Sequence, residues 1–296
     1  MIRLQAAGQP TLALYHQPAQ ADLADVIYVH GSTFGAELSV LWQLDGRSWA
    51  DALCDAGFNV WAFDFAGYGA SDRYSPDATQ PAGDMAQVLP QLQRVVAAVR
   101  ARNRGRRVVL LAHSWGGTVA LNYASVHADD LMSLVLFAPI LARAPSGEPP
   151  TAAPVPPYLL LSAWAQYRRF IEDVPSGAAQ PLSEAHFEAW SKAFLATDPE
   201  ACERIPPAVL SPAGPQSDVR ALRNGRTFGG GCDVPTLLLR GEWDRACDAA
   251  DMNRLQALLA NATQVTIPGA THLMHLEVSR GLLYNAVNAF LSRGVT

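Results

Sequence analysis

The sequence predicts an α/β protein with a doubly wound, mostly parallel sheet, and three observations carry this prediction. The chain has 296 residues, of which 49% are hydrophobic and 17% are charged, so it can bury one large core. Six short runs are apolar at successive positions, which is typical of strands buried on both faces. Segments with a helical spacing of apolar residues alternate with these runs.

The predicted strands fall into two groups along the chain. Residues 2–4 and 11–15 indicate antiparallel edge strands near the start. The apolar runs predict buried parallel strands near residues 26–30, 59–64, 107–112, 132–137, 235–240 and 263–267. Helices between these strands are expected to cover both faces of the sheet.

Five segments between the strands carry helix signals. Ser48 and Asp51 form the pattern of a capping box, which predicts a helix from Ser48 through Asp55 with Gly57 as its stop. Further helices are predicted over residues 84–102, 115–126, 249–259 and 278–291. Pro90 predicts a kink or a later start in the first of these, because proline lacks the N–H that an interior helix position donates.

Residues 139–232 interrupt the alternation of strands and helices. Seven prolines between Pro139 and Pro157 exclude a regular helix or a central strand and predict an extended hinge. Two helices are predicted after the hinge, over residues 159–171 and 183–195. The predicted organisation is therefore a core of residues 1–138 and 233–296 that is interrupted by an insertion of residues 139–232.

The chemistry is expected at Ser114, in the segment Ala-His-Ser-Trp-Gly-Gly that directly follows the apolar run 108–111. A serine between small residues at a turn from strand to helix is typical of a nucleophile elbow, Gly-x-Ser-x-Gly. The first glycine of that pattern is Ala112 in this chain. Downstream, the apolar run that begins at Leu237 leads to Asp244, and the run that begins at Val265 leads to His272.

A serine hydroxyl is a poor nucleophile at neutral pH and needs a base. An imidazole can accept the proton of Ser114 and later donate it to a leaving group, so His272 is the candidate base and Ser114 the candidate nucleophile. Asp244 would orient the ring of His272. His275 is an alternative to His272, and Glu242 and Asp248 are alternatives to Asp244, although Asp248 can instead cap a helix.

The order Ser, Asp, His resembles that of the α/β-hydrolase superfamily. Two further segments resemble this family, the His-Gly pair at residues 30–31 after a strand and the Asp-x-x-Gly-x-Gly-x-Ser turn at residues 64–71. The resemblance implies an α/β-hydrolase fold in which residues 139–232 form a helical cap or lid. It also implies an oxyanion hole, for which the backbone N–H groups of Trp115 and Ser32 are the candidates. His30 is expected to order its own loop.

A lid rich in aromatic residues predicts a partly apolar substrate pocket over the serine. The candidate pocket residues are Phe34 in the first loop and three aromatic residues of the insertion, Trp164, Tyr167 and Trp190. Packing between lid and core is the alternative for each of these side chains. The expected substrate is a small molecule with a partly hydrophobic acyl group.

Composition narrows the possible partners. The net charge of −5 and the scattered basic residues argue against nucleic-acid binding, and no apolar run is long enough for a membrane span. The start of the chain lacks the features of a signal peptide, so a cytoplasmic protein is expected. The pattern of cysteines and histidines predicts no metal site, and no dinucleotide fingerprint predicts a cofactor. The sequence leaves the oligomeric state open, and also a pairing of Cys232 with Cys247.

The sequence therefore predicts a serine hydrolase that cleaves a carboxylic ester, thioester or lactone. An acyltransferase with the same three residues, a carbon–carbon bond hydrolase and a non-catalytic binding protein are the alternatives. Relatives that cleave epoxides or carbon–halogen bonds have an aspartate at the elbow, where this chain has Ser114. Proline-specific peptidases show His-Gly-Gly-Pro-Gly in the first loop, whereas residues 30–35 are His-Gly-Ser-Thr-Phe-Gly.

Overall fold

The structure is a computed structural model that describes residues 1–143 and 153–294. Its main feature is an eight-stranded sheet. These strands are β1 (Ile2–Ala6), β2 (Gln9–Gln17), β3 (Ala24–Val29), β4 (Phe58–Phe63), β5 (Val108–His113), β6 (Leu131–Phe137), β9 (Thr236–Gly241) and β10 (Ala262–Ile267). Their order across the sheet is β1-β2-β4-β3-β5-β6-β9-β10, and the six strands from β4 to β10 in this order pair in parallel, as the apolar runs predict. The prediction of a buried strand is wrong for β10, which lies at an edge of the sheet and has only Ile267 buried.

The two N-terminal strands pair antiparallel, but only one of them lies at an edge. Strand β2 pairs with β1 on one side and with β4 on the other. The prediction of an edge strand is therefore confirmed for β1 and wrong for β2. Burial distinguishes β2 from an edge strand, because Leu12 to Leu14 in its middle are fully buried.

Helices cover both faces of the sheet. They are α1 (Trp49–Asp55), α2 (Met85–Arg102), α3 (Ser114–Val126), α7 (Ala249–Leu258) and α8 (Arg280–Gly294). Helices α2, α3 and α7 pack on one face, and α1 and α8 pack on the other. Successive residues of β5 alternate between these two layers, with Leu110 in the first and Leu111 in the second, which explains why the whole strand is apolar.

The helix starts follow the capping residues. Ser48 and Asp51 form a capping box at α1, and Gly57 follows the end of that helix with a φ of +96°. Asp84 caps α2 by accepting a hydrogen bond from the Gln87 N–H, so the later start predicted from Pro90 is wrong. The helix tolerates Pro90 because Pro90 and Ala86 are both exposed, and the carbonyl group that lacks an N–H partner can bond to water.

The segment between β6 and β9 contributes no strand to the large sheet within its described residues. It contains a two-stranded antiparallel sheet of β7 (Tyr158–Ser162) and β8 (Ala208–Pro212). Its helices are α4 (Ala163–Ile171), α5 (Glu184–Ala196) and α6 (Gly214–Arg223). The domain division at residues 139–232 stays a prediction, and the prolines at positions 145, 149 and 150 of the predicted hinge lie outside the described residues.

The helix predicted over residues 159–171 is only partly present. Its first residues form β7, which pairs with β8, and Ser162 then caps α4 by accepting a hydrogen bond from the Ala165 N–H. The helix predicted over residues 183–195 corresponds to α5, which Ser183 caps. Strand β8 and helix α6 carry no signal that we identified in the sequence.

The described residues also bear on the expectations about a membrane span and a disulfide bond. None of the helices described is long and apolar enough to cross a membrane. All four cysteines are free thiols, so the pairing of Cys232 with Cys247 that the sequence left open is not formed.

Candidate active site

Ser114 occupies a strained turn between β5 and α3. Its φ is +54°, a left-handed conformation that is uncommon for residues other than glycine. Gly116 permits this turn, because a Cβ atom at that position would lie 2.2 Å from the carbonyl oxygen of His30. Ala112, the departure from the usual elbow pattern, is fully buried in the core. The local geometry is that of a nucleophile elbow.

Three side chains from the carboxyl-terminal ends of different strands meet at this turn. The Ser114 Oγ lies 2.8 Å from the Nε2 of His272. The Nδ1 of His272 lies 3.0 Å and 3.2 Å from the two carboxylate oxygens of Asp244. Because only an N–H can donate to the carboxylate, Nδ1 carries the proton and Nε2 has a lone pair that accepts from the serine hydroxyl. All three residues are buried.

The carboxylates that compete with Asp244 in the sequence have other roles. Glu242 accepts a hydrogen bond from the Gly269 N–H, 2.8 Å away. Asp248 caps α7 and forms a capping box with Asp251. Asp244 also accepts a bond from the Cys247 N–H, which fixes its carboxylate in the turn after β9.

His275 is directed away from the serine. Its Nε2 lies 3.1 Å from the hydroxyl of Ser39, and the ring is buried. Burial, and to a smaller extent the neighbouring charges of His272 and Arg169, lower the pKa of His275 to about 3. A ring that stays uncharged and bonds to another hydroxyl is a poor candidate for the base, which leaves His272.

Glu277 is a part of the site that the sequence did not single out. It lies in the turn before α8 and is fully buried. Its carboxylate accepts hydrogen bonds from the N–H and the hydroxyl of Thr271, the residue before His272. Burial raises the pKa of Glu277 to about 7. Glu277 therefore holds the loop that carries His272.

The two candidate oxyanion donors lie beside the serine. Ser32 and Trp115 line the same cavity as Ser114 and His272. Trp115 lies in the first turn of α3, where backbone N–H groups have no carbonyl partner within the helix. Thr33, directly after Ser32, has a φ of +79°, so the first loop turns sharply at this point.

His30 orders the first loop, as the sequence predicts. Its Nδ1 donates to the carbonyl oxygen of Gly31, 2.7 Å away, and its Nε2 accepts from the N–H of Phe65, 3.0 Å away. This arrangement requires a neutral ring, and burial lowers the pKa of His30 accordingly. The imidazole thus connects the loop after β3 with the loop after β4.

Asp218 of α6 ties the inserted segment to the elbow, a contact without a signal in the sequence. Its carboxylate accepts hydrogen bonds from the indole Nε1 of Trp115 and from the N–H of Met85, both at 2.9 Å. The carboxylate is buried, and burial raises its pKa to about 6.

The cavity at Ser114 is small and has a mixed lining. Its volume is about 160 Å³, below the usual range of about 300–1,000 Å³ for ligand pockets. Besides the residues named above, its lining consists of Ile140, Arg169, Glu172, Asp173, Val219 and Ala246. Aliphatic side chains form one part of the wall, and charged side chains of α4 and the turn after it form another.

The four aromatic residues predicted to line the pocket lie elsewhere. Trp190 is buried, donates its indole N–H to the carbonyl oxygen of Leu38, and packs edge-on against Phe34. Trp164 is 66% exposed and stacks on Tyr167. The structure thus corrects this expectation: none of the four lines the cavity at Ser114, because Phe34 and Trp190 join an aromatic cluster and Trp164 faces solvent.

No group of three or more potential metal ligands occurs among histidine, cysteine, aspartate and glutamate side chains of residues 1–143 and 153–294.

A family model and curated relatives match parts of this chain. A family model described as serine aminopeptidase, S33, matches residues 46–279. Epoxide hydrolase A of Mycobacterium tuberculosis is 36% identical over 129 residues, which are 43% of this chain and 35% of that protein. The chain spans about a third of the length of the curated relatives it matches.

Solved structures share the fold over almost the whole chain. A soluble variant of monoglyceride lipase from Saccharomyces cerevisiae, in complex with a substrate analog, gives a TM-score of 0.66 at 17% identity and covers 99% of this chain and 94% of that one. A thermophilic esterase from Thermogutta terrifontis gives a TM-score of 0.59 at 23% identity and covers 99% and 97% of the two chains. At these identities the likeness concerns the fold.

Proposed function

The chain belongs to the serine aminopeptidase S33 family of α/β-hydrolases, and from this membership we propose that it is a serine hydrolase acting on carboxylic esters, thioesters or lactones. The reaction would proceed through an acyl-enzyme on Ser114. One observation carries the proposal: the Oγ of Ser114 and the carboxylate of Asp244 lie within hydrogen-bond distance of the two ring nitrogens of His272.

In the proposed acylation, the Ser114 Oγ attacks the substrate carbonyl carbon while its proton passes to the Nε2 of His272. Asp244 holds the ring in this orientation and stabilises the imidazolium that forms. The N–H groups of Trp115 and Ser32 would donate to the oxygen that becomes negative, and one such donor contributes about 3 kcal/mol in comparable sites.

Acylation ends when His272 donates its proton to the leaving alcohol or thiol and the acyl group remains on Ser114. Deacylation uses the same three side chains. His272 then accepts a proton from water, which attacks the acyl carbon. His272 returns that proton to the Oγ of Ser114 as the bond between Oγ and the acyl carbon breaks and the acid is released. If an alcohol, amine or thiol attacks the acyl carbon in place of water, the acyl group is transferred to it and the enzyme acts as an acyltransferase.

The residues present favour an ester-type substrate over two other substrates known from relatives. The first loop lacks the His-Gly-Gly-Pro-Gly pattern expected of a proline-specific peptidase. The nucleophile position holds Ser114, whereas an epoxide-cleaving relative is expected to have aspartate there. The side chains of Ile140, Val219 and Ala246 favour a partly apolar group of modest size in a cavity of about 160 Å³.

The proposal is tested by labelling and by turnover. A fluorophosphonate probe should add once to the protein, at Ser114, and mass spectrometry of peptides locates the adduct. The p-nitrophenyl esters of graded chain length should be hydrolysed, with Ser114→Ala lowering kcat at least about a thousandfold. Product analysis with an added alcohol or thiol separates hydrolysis from acyl transfer.

Ser191→Ala is the matched control, because Ser191 lies on α5 outside the cavity at Ser114 and its hydroxyl donates to the Glu188 carbonyl oxygen of the same helix. This variant should be labelled and should turn over esters like the native protein. Retained turnover in Ser114→Ala, or a native protein that the probe leaves unlabelled, would contradict the proposal.

A further inference from the structure

Arg169 places a positive charge on the wall of the candidate active site. It lies in α4 of the inserted segment and lines the same cavity as Ser32, Ser114 and His272. Its side chain is half-buried. Because Arg169 is part of the wall of this cavity, its hydrogen-bond donors bear on which substrates fit.

Only one nitrogen of this guanidinium is engaged. The Nη1 donates to the Thr33 hydroxyl at 2.5 Å and to the Gln166 side-chain oxygen at 3.1 Å. In the part of the chain that the structure describes, the Nε and Nη2 of Arg169 have no hydrogen-bond partner, and neither is sealed off from solvent. An arginine presents five N–H donors in a planar fork, so donors remain for a ligand.

Arg169 also lacks a direct counterion. No carboxylate of residues 1–143 or 153–294 lies within 4.0 Å of its guanidinium, whereas Arg204 of the same inserted segment pairs with Asp198 at 2.7 Å. Two carboxylates share the cavity wall with Arg169. Glu172 is exposed, and Asp173 accepts a hydrogen bond from the Arg245 N–H at 3.1 Å.

The electrostatic balance at Arg169 follows from burial and from Glu172. Burial lowers the pKa of Arg169, and the attraction of Glu172 opposes this effect without an ion pair. Arginine keeps its charge in proteins even so. A cation that has lost much of its water and has free donors is stabilised by a carboxylate, which can accept two parallel N–H bonds from the fork.

We propose that Arg169 binds a carboxylate of the substrate, so that the preferred substrates are monoesters of short dicarboxylic acids. The inference rests on the proposed function, because it assumes that the ester group reacts at Ser114. The small volume of the cavity, about 160 Å³, limits the acyl chain between the two groups to a few carbon atoms.

A purely structural role of Arg169 is distinguishable from this one. The bond to Thr33 connects α4 with the loop that carries Ser32, and losing it would disturb the candidate oxyanion hole for every substrate. A carboxylate-binding role, in contrast, changes the ratio between charged and uncharged esters. The decisive quantity is therefore this ratio.

The test compares monomethyl glutarate with methyl pentanoate, which has the same number of acyl carbons and no charge. We expect the native protein to favour the glutarate ester in kcat/KM by at least about tenfold, the lower range for a charged hydrogen bond. Arg169→Gln should lower kcat/KM for the glutarate ester by about 10- to 100-fold more than it lowers kcat/KM for methyl pentanoate, which reports the loss of the Thr33 bond alone. The preference of Arg169→Lys for the glutarate ester should lie between those of the native protein and of Arg169→Gln, because lysine keeps the positive charge but lacks the planar pair of N–H donors.

Arg168→Gln is the matched control, an exposed neighbour on the same helix that should leave both rates unchanged. The rate of fluorophosphonate labelling at Ser114 reports whether each variant keeps a folded site. A native protein that is labelled but shows no preference for the charged ester overturns the inference and leaves the proposed function standing. Equal losses on both esters in Arg169→Gln assign a structural role instead. Failure of labelling and of all ester turnover removes both proposals.

Discussion

The Nε2 of His113 donates a hydrogen bond to the backbone carbonyl oxygen of His272, 3.0 Å away. His113 is the last residue of β5 and directly precedes Ser114, so the strand that presents the serine also holds the backbone of the candidate base. Burial lowers the pKa of His113 well below its usual range, and His275 and His272 lower it further. The ring therefore stays neutral and adds no second positive charge beside the imidazolium that we propose on His272.

Asp244→Asn should lower kcat by about 10⁴-fold while the protein stays folded, because an amide no longer enforces the ring tautomer that leaves Nε2 free. Steady-state kinetics on the best ester measures the loss. Asp248→Asn is the control, since asparagine caps a helix about as well as aspartate and Asp248 caps α7. Equal losses in the two variants would show that the loop, and not the carboxylate of Asp244, is responsible.

His272→Gln should lower kcat by at least about a thousandfold, because the proton of Ser114 then has no acceptor. His275→Gln should retain turnover and lose stability, by about 1–3 kcal/mol, because it disturbs a buried ring that bonds to Ser39. Urea unfolding and ester kinetics on both variants separate these effects. Activity that survives in His272→Gln and disappears in His275→Gln would reverse the assignment of the base.

Glu277 should make the folded state less stable as the pH rises through the range from 4.5 to about 7. Burial raises its pKa above the ordinary value of 4.5, so the folded protein binds more protons than the unfolded chain within this window. The difference in the free energy of unfolding between the native protein and Glu277→Gln should therefore shift by about 3 kcal/mol across it. Urea unfolding at several pH values measures the shift. Parallel pH profiles for the two proteins would contradict this prediction.

Gly116→Ala should destabilise the protein by at least about 1–3 kcal/mol, because its methyl group would collide with the backbone oxygens of His30 and Val29. Gly281→Ala is the matched change in α8, where a Cβ atom meets open space, and it should stabilise by about 0.4–1 kcal/mol. Thermal unfolding of both variants gives the comparison. A Gly116→Ala protein as stable as the native one would show that the elbow can relax around an added methyl group.

The sequence predicts the parts of this fold whose signals are local. The parallel strands are found within about two residues of their predicted bounds, because all except the edge strand β10 are apolar on both faces. Ser114, Asp244 and His272 are found together because each follows an apolar run, and the carboxyl ends of parallel strands meet at one edge of the sheet.

The parts that the sequence misses depend on distant partners. Tyr158–Ser162 becomes a strand only because Ala208–Pro212 pairs with it. Trp190 and Phe34 pack on each other instead of lining the cavity, and composition does not tell which face of α5 meets the core. The buried carboxylate of Glu277 follows a turn whose geometry no spacing rule in the sequence indicates.

The contact between Asp218 and Trp115 restricts how the candidate site can open. Swinging α6 away from the sheet would leave the indole N–H of Trp115 and the N–H of Met85 without an acceptor, at about 1–3 kcal/mol for each buried donor. Movement of α4 alone leaves both bonds intact. Opening past α4 instead breaks the bond of Arg169 to Thr33, whereas α6 keeps its bonds to Trp115 and Met85.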